Sequence, residues 1–247
     1  MIALEGVTKV FADTDGPAVH ALRGVDLRIE CGETVCLIGA SGCGKTTILR
    51  MMNRLAQPTG GRVLVDGEDV SRVDPIRLRR RMGYVIQSGG LFPHMTVEQN
   101  IGLLCRLEGW DAGRTRTRVH GLLDLVHLPA ADYADRFPAQ LSGGECQRVG
   151  VARALALDPE FVLLDEPFGA LDPVTRAKLQ AEFLDLRRTL GKTMVFVSHD
   201  LDEAFLLADR VAYISSGEVI QVGTRAQFEN EPATPEVARF VAGLAHA

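Results

Sequence analysis

The chain has 247 residues, 46% of them hydrophobic, and a formal net charge of −5. That length and apolar content support one large domain with a sizeable core and exclude an intrinsically disordered chain. The acidic balance argues against nucleic acid as a partner. Five cysteines without a C-x-x-C pair argue against a disulfide framework or a zinc site and fit a reducing cytoplasm.

The N-terminal segments "IALEGVTKVF" and "VHALRGVDLRIE" alternate apolar and polar residues around a turn-rich "ADTDGPA". They predict antiparallel strands with one buried face. Glu5 and Lys9 fall where a signal peptide would place its apolar centre, and no apolar run approaches the roughly 20 residues that span a bilayer. Work at a membrane is therefore expected to go through a partner. From Thr34 onward the pattern changes to short continuous apolar runs: "TVCLIG", "MGYVIQ", "FVLLDE" and "TMVFVSH". Such runs suit strands buried on both faces of a helix-covered parallel sheet. Helical patterns lie between them at Thr46–Leu55, Gly143–Leu157 and Pro173–Leu190.

Residues from about 89 to 139 show no clear strand. "TVEQ" is a capping-box pattern that opens a helix, and "RTRTRVHGLLDLVHL" reads as a second amphipathic helix. The block reads as a helical subdomain inserted into a single domain, 1–247. After Asp209, "RVAYISSGEVIQVG" predicts a hairpin across Ser216-Gly217, followed by two short helices. The fold class expected is α/β: a mostly parallel sheet, an N-terminal antiparallel β subdomain and an inserted α-helical one.

Each continuous apolar run stops at a residue with chemistry: Gly39, Gln87, Asp165 with Glu166, and His199. In open α/β sheets ligands bind beyond the carboxyl ends of the strands. "GASGCGKT" matches G-x-x-x-x-G-K-[ST] with a strand before it and a helix after it. Its backbone N–H groups, from Gly39 through Ala40, Ser41, Gly42, Cys43, Gly44, Lys45, Thr46 and Thr47, would cradle the phosphates of ATP. Lys45 would reach the β- and γ-phosphates, and the Thr46 hydroxyl would ligate Mg²⁺. Asp165 ends a buried strand, where a carboxylate needs a cation, and Mg²⁺ provides one. Glu166 is placed to accept a proton from the attacking water. Gln87 could touch the metal and the water, and His199 could hold the γ-phosphate. Phe11 suits either stacking on the adenine or the core of the first strand.

A second glycine loop, "LSGGE" from Leu141 through Ser142, Gly143, Gly144 and Glu145, also runs into a helix but carries no lysine. Phosphate loop, Gln87, "LSGGE", "VLLDEP", "ALD" and "SHD" stand in the order of the ATP-binding-cassette family, which the chain resembles over essentially its whole length. The resemblance implies that "LSGGE" closes over the γ-phosphate held by the opposite subunit of a head-to-tail homodimer. It also implies that "ALD", Ala170 to Asp172, communicates across the dimer. Glu145 departs from the family's usual glutamine, while Ser142, Gly143 and Gly144 are intact.

"MMNRLAQPTGGRVLVDGEDV", "RRRMGYVIQSGGLFPHMTVEQNI" and "ALDPVTR" are more narrowly similar to the ATPase subunits of bacterial quaternary-amine importers, for glycine betaine, carnitine or choline. The resemblance implies an integral membrane permease as partner, an extracytoplasmic solute-binding protein acting indirectly, and a peripheral place on the cytoplasmic face of the membrane. The groove for the permease is expected in "SGGLFPHMTVEQN", where Leu91, Phe92 and Met95 either form a docking surface or pack inside the subdomain. Many such subunits carry C-terminal CBS repeats, which are not expected here. The alternatives are an importer of another small solute, such as an amino acid, or a soluble cassette ATPase. The short separation between the phosphate loop and "LSGGE" leaves no room for the long coiled coil of chromosome-type cassettes.

Overall fold

The computed structural model describes residues 1–11, 18–87, 90–169 and 171–242. The turn-rich 12–17, Ser88 and Gly89 after Gln87, and Ala170 of "ALD" lie outside the described residues. In chain order the elements are β1 (Ile2–Phe11), β2 (Val19–Ile29), β3 (Thr34–Ile38), α1 (Lys45–Met52), β4 (Gly60–Val65), β5 (Glu68–Asp69), α2 (Pro75–Arg80) and β6 (Met82–Val85). Then come α3 (Val97–Leu107), α4 (Ala112–Leu125), α5 (Ala130–Tyr133), a 3₁₀ turn at Pro138–Gln140, α6 (Gly143–Ala154), β7 (Phe161–Asp165) and α7 (Pro173–Leu190). The chain continues with β8 (Thr193–Ser198), α8 (Leu201–Leu207), β9 (Arg210–Ser215), β10 (Glu218–Gly223), α9 (Arg225–Asn230) and α10 (Pro235–Ala242).

These elements fall into two compact units, residues 1–79 with 192–247, and residues 80–191. In the first unit, β2-β1-β4-β5 form an antiparallel sheet. Along β2 the alternation is what one buried face requires: Leu22, Val25, Leu27 and Ile29 are buried, and exposed residues lie between them, whereas β1 starts with three buried residues in a row, Ile2, Ala3 and Leu4. Strand β4, not expected from the sequence pattern, joins this sheet beside β1 with Val63 and Val65 buried. The same unit holds four strands in the order β10-β9-β3-β8. Here β3 is parallel to both β8 and β9, and β10 returns antiparallel. Every residue of β3 and of β8 is buried, as their unbroken apolar runs require. The β9–β10 turn falls on Ser216 and Gly217, both at positive φ, the twist that a two-residue hairpin favours.

In the second unit, β6 and β7 pair in parallel. Helix α3 begins at a reciprocal capping box, Thr96 with Gln99, as the "TVEQ" pattern predicts. The predicted second helix is α4, capped by Asp111. Helix α7 begins at an Asp172 cap with Pro173 in the first position, where its missing N–H costs no hydrogen bond.

Candidate functional site

The first unit places a phosphate loop and a histidine at neighbouring strand ends. Ile38 of β3 pairs with Ser198 of β8, so Gly39 and His199 are each the first residue past a paired end. Gly39 lies at φ 152°, and a side chain there would run into the Ile214 carbonyl oxygen. Glycine is therefore the residue this approach admits. The loop turns into α1 at Gly44, which has φ 111° and lends no side-chain cap to the helix. No acidic residue occupies the first turn of α1. The positive end of the helix dipole is thus met by no side-chain cap and no carboxylate of the helix's own first turn, which favours an anion there. Lys45 is 4% exposed, and its ammonium donates to the carbonyls of Gly39 at 2.7 Å and Ala40 at 2.9 Å. Those bonds hold it against the loop. Cys43 is buried, Thr46 and Thr47 are half-buried, and Ser41 and Gly42 are exposed.

His199 is exposed on the turn between β8 and α8. Its neighbour Ser198 is anchored: the hydroxyl donates to the buried carboxylate of Glu203 and accepts from Asp200 N–H at 2.9 Å. Glu203 carries no motif that sequence reasoning had used. Phe11 settles one open alternative. It is 47% exposed at the end of β1 rather than in the core, with the Lys9 ammonium 4.9 Å from its ring centroid.

The second unit pairs the remaining strand ends. Val85 of β6 lies opposite Leu164 of β7, which brings Gln87 beside the Asp165-Glu166 pair. The Gln87 amide donates to Glu166 Oε2 at 2.5 Å. Glu166 sits at φ 48°, a conformation that costs a non-glycine residue about 1–3 kcal/mol and recurs where function fixes the backbone. Asp165 is 5% exposed and accepts a hydrogen bond from the Tyr84 hydroxyl at 3.3 Å. Tyr84 was missed, because a tyrosine inside an apolar run gives no sign of where its hydroxyl points.

The second glycine loop is built as a helix start. Ser142 caps α6, with its hydroxyl accepting from Glu145 N–H at 3.3 Å. Glu145 closes the box by accepting from Ser142 N–H at 2.7 Å and also accepts from the Tyr133 hydroxyl at 2.6 Å. The Tyr133 hydrogen bond, then that of Ser142, hold the Glu145 carboxyl below its usual range. Glu145 therefore keeps the cap and also takes a tyrosine partner. Ser142 and Gly143 are exposed, whereas Gly144 is buried and Leu141 half-buried. Farther along α6, Arg153 donates to the Gly90 carbonyl at 2.8 Å and lies over the Phe92 ring. Phe92 itself is 41% exposed, with Leu91 and Met95 half-buried.

The sequence model of the family described as ABC transporter matches residues 22–169 of this chain. The chain belongs to the ABC transporter family. It is 50% identical to the glycine betaine/carnitine/choline transport ATP-binding protein OpuCA of Bacillus subtilis (strain 168), over 98% of this chain and 62% of OpuCA. It is 45% identical to the glycine betaine uptake system ATP-binding protein YehX of Escherichia coli (strain K12), over 97% of this chain and 76% of YehX. The chain thus spans less than two thirds of OpuCA. A solved ABC cassette, the dimeric post-hydrolysis state of MJ0796 bound to ADP and Pi, matches with a TM-score of 0.81 and 34% identity. That match covers 91% of this chain and 98% of the other. The fold expected from the sequence, a P-loop core with a mostly parallel sheet, an antiparallel β part and helices, is the ABC ATPase fold. No helix among the described residues is long and apolar enough to cross a membrane.

Proposed function

We propose that this chain is the ATP-hydrolysing subunit of an importer for a small solute, a quaternary-amine osmoprotectant such as glycine betaine. The observation that carries the reading is the uncapped, glycine-lined start of α1 with Lys45 buried against it. That is a cradle for a polyphosphate. The transport activities for which OpuCA and YehX are named supply the solute class. The single domain 1–247, with its helical subdomain at about 89–139, acts as a peripheral subunit on the cytoplasmic face of the membrane. It works as a homodimer beneath integral permease subunits, with a solute-binding protein acting indirectly from the other side.

In this reading the backbone from Gly39 to Thr47 holds the phosphates, and Phe11 stacks on the adenine. Lys45 places its charge on the β- and γ-phosphates. Glu166 takes the proton of the attacking water. Gln87 fixes the Glu166 carboxylate, and His199 hydrogen-bonds the γ-phosphate and holds the attacking water in line. Leu141 to Glu145 of one subunit close over the γ-phosphate held by the other. Thr46, Gln87 and Asp165 offer hard oxygen donors. Mg²⁺ keeps several waters and needs only one or two carboxylates, and the buried carboxylate of Asp165 would supply one. Bound there, the ion neutralises charge on the phosphate oxygens.

The test is uptake of radiolabelled glycine betaine, and separately of an amino acid, by cells with and without this chain. Loss of betaine uptake alone is expected. Loss of amino-acid uptake alone reassigns the solute, and no change in either points to a soluble ATPase.

A further inference from the structure

Helix α10 grips the strand beside the phosphate loop through one carboxylate oxygen. Glu236, in the first turn of α10, accepts from the Tyr213 hydroxyl at 2.9 Å and from the Ser215 hydroxyl at 2.7 Å, both at Oε1. Four residues on, and so on the same helix face, the Phe240 ring packs on Tyr213 with centroids 4.7 Å apart. Tyr213 and Ser215 are two apart in β9 and project from one side of it. Their hydroxyls meet at Glu236.

The same stretch of β9 is a wall of the phosphate loop. Tyr213 pairs with Ile38, the last residue of β3. The next residues are Ile214 and Gly39, and the Ile214 carbonyl lies so close to Gly39 that no side chain fits between them. A side chain on Gly39 would also meet Cys43 Sγ at 2.9 Å. Cys43 in turn lies near enough to the Tyr213 phenol to bear on its ionisation. Burial first, then the Glu236 hydrogen bond, push that phenol up to about 12. It is therefore a neutral, permanent donor to Glu236.

We propose that Glu236 is a positioning residue for the phosphate loop: by tying Tyr213 and Ser215 to α10 it fixes the wall on which Gly39 and Cys43 rest. Nucleotide affinity then depends on α10 being docked. The physical reason is preorganisation. A loop whose N–H groups already point at the phosphates loses little conformational freedom on binding, and a loosened wall makes binding supply that order. Linkage makes the effect reciprocal, so bound nucleotide must hold α10 down. The inference rests on reading Gly39–Thr47 as the nucleotide site.

The full chain is titrated with a fluorescent ADP analogue, and amide hydrogen exchange is followed across Pro235–Ala242 with and without ADP. Glu236→Ala and Phe240→Ala are expected to speed exchange in α10 and raise the Kd by about threefold to tenfold. Glu236→Gln keeps an acceptor oxygen of the same shape and should restore most of the affinity. Saturating ADP should slow α10 exchange in the unsubstituted protein. The proposal is overturned if neither alanine variant loosens α10, or if α10 loosens while the Kd stays put. Lys45→Ala separates the two levels: if it binds the analogue as tightly as the unsubstituted protein does, or if neither binds, the nucleotide reading fails and the inference fails with it.

Discussion

Gln87 and Glu166, 79 positions apart in the chain, share a hydrogen bond of 2.5 Å between the amide and carboxylate Oε2. Neighbouring parallel strands deliver them, and the bond orients the carboxylate proposed as the base. Glu166→Gln is expected to bind ATP with near-normal affinity and lose nearly all steady-state hydrolysis. A general base contributes about 10²–10⁴ in rate. Gln87→Ala removes the orienting partner and one oxygen donor to the metal but leaves the proposed base in place, so it should retain more activity than Glu166→Gln. Turnover measured on the purified variants decides this, and a Glu166→Gln protein of near-normal rate would remove Glu166 as the base.

The shared-site reading makes a complementation test. Lys45→Ala breaks the phosphate loop and Ser142→Arg blocks the exposed start of α6, so each variant alone should fail to dimerise with ATP. Mixed in a Glu166→Gln background, they rebuild one whole site across two chains. Sedimentation of the mixture with ATP should show more dimer than either variant alone. Equal dimer in all three samples would mean that "LSGGE" serves its own subunit.

The Glu145 capping box gives a stability prediction with a defined pH sense. Its folded carboxyl titrates below its ordinary value because of the Tyr133 and Ser142 hydrogen bonds. The stabilisation is therefore complete above the unfolded pKa and is lost as pH falls through the lowered folded pKa. Tyr133→Phe should destabilise the protein at neutral pH by about 0.5–1.5 kcal/mol, typical of one hydrogen bond. The difference between the two proteins should shrink as pH falls below the ordinary glutamate range. Denaturant melts at neutral and at acidic pH measure it, and a difference that grows on acidification contradicts the assignment.

Phe92 is expected to act on coupling rather than on folding. Its backbone is held by buried Asn100, which accepts from Phe92 N–H at 2.8 Å and donates to its carbonyl at 3.1 Å. Its side chain remains partly open to solvent, at 41% exposed. Phe92→Asp should leave the melting temperature and nucleotide binding of the isolated chain near those of the unsubstituted protein while abolishing solute uptake in cells. Intact uptake would place the permease contact elsewhere.

The phosphate loop, the Asp165-Glu166 pair and the continuous apolar strands were legible in the sequence because each is local. A glycine pattern between a strand and a helix, or an apolar run that ends in a carboxylate, states its own backbone requirement within a few residues. The capping box at Thr96 is local in the same sense and formed as its spacing requires, and the structure adds a second at Ser142 with the same spacing. What the folded chain alone decided were contacts set by strand order and register. Gln87 meets Glu166, Tyr84 reaches Asp165, and Phe11 faces outward, because pairing brings distant segments side by side. Glu203 under Ser198 and Glu236 under Tyr213 were silent for a further reason: an acidic residue in a short helix looks solvated until a neighbouring strand supplies its donors.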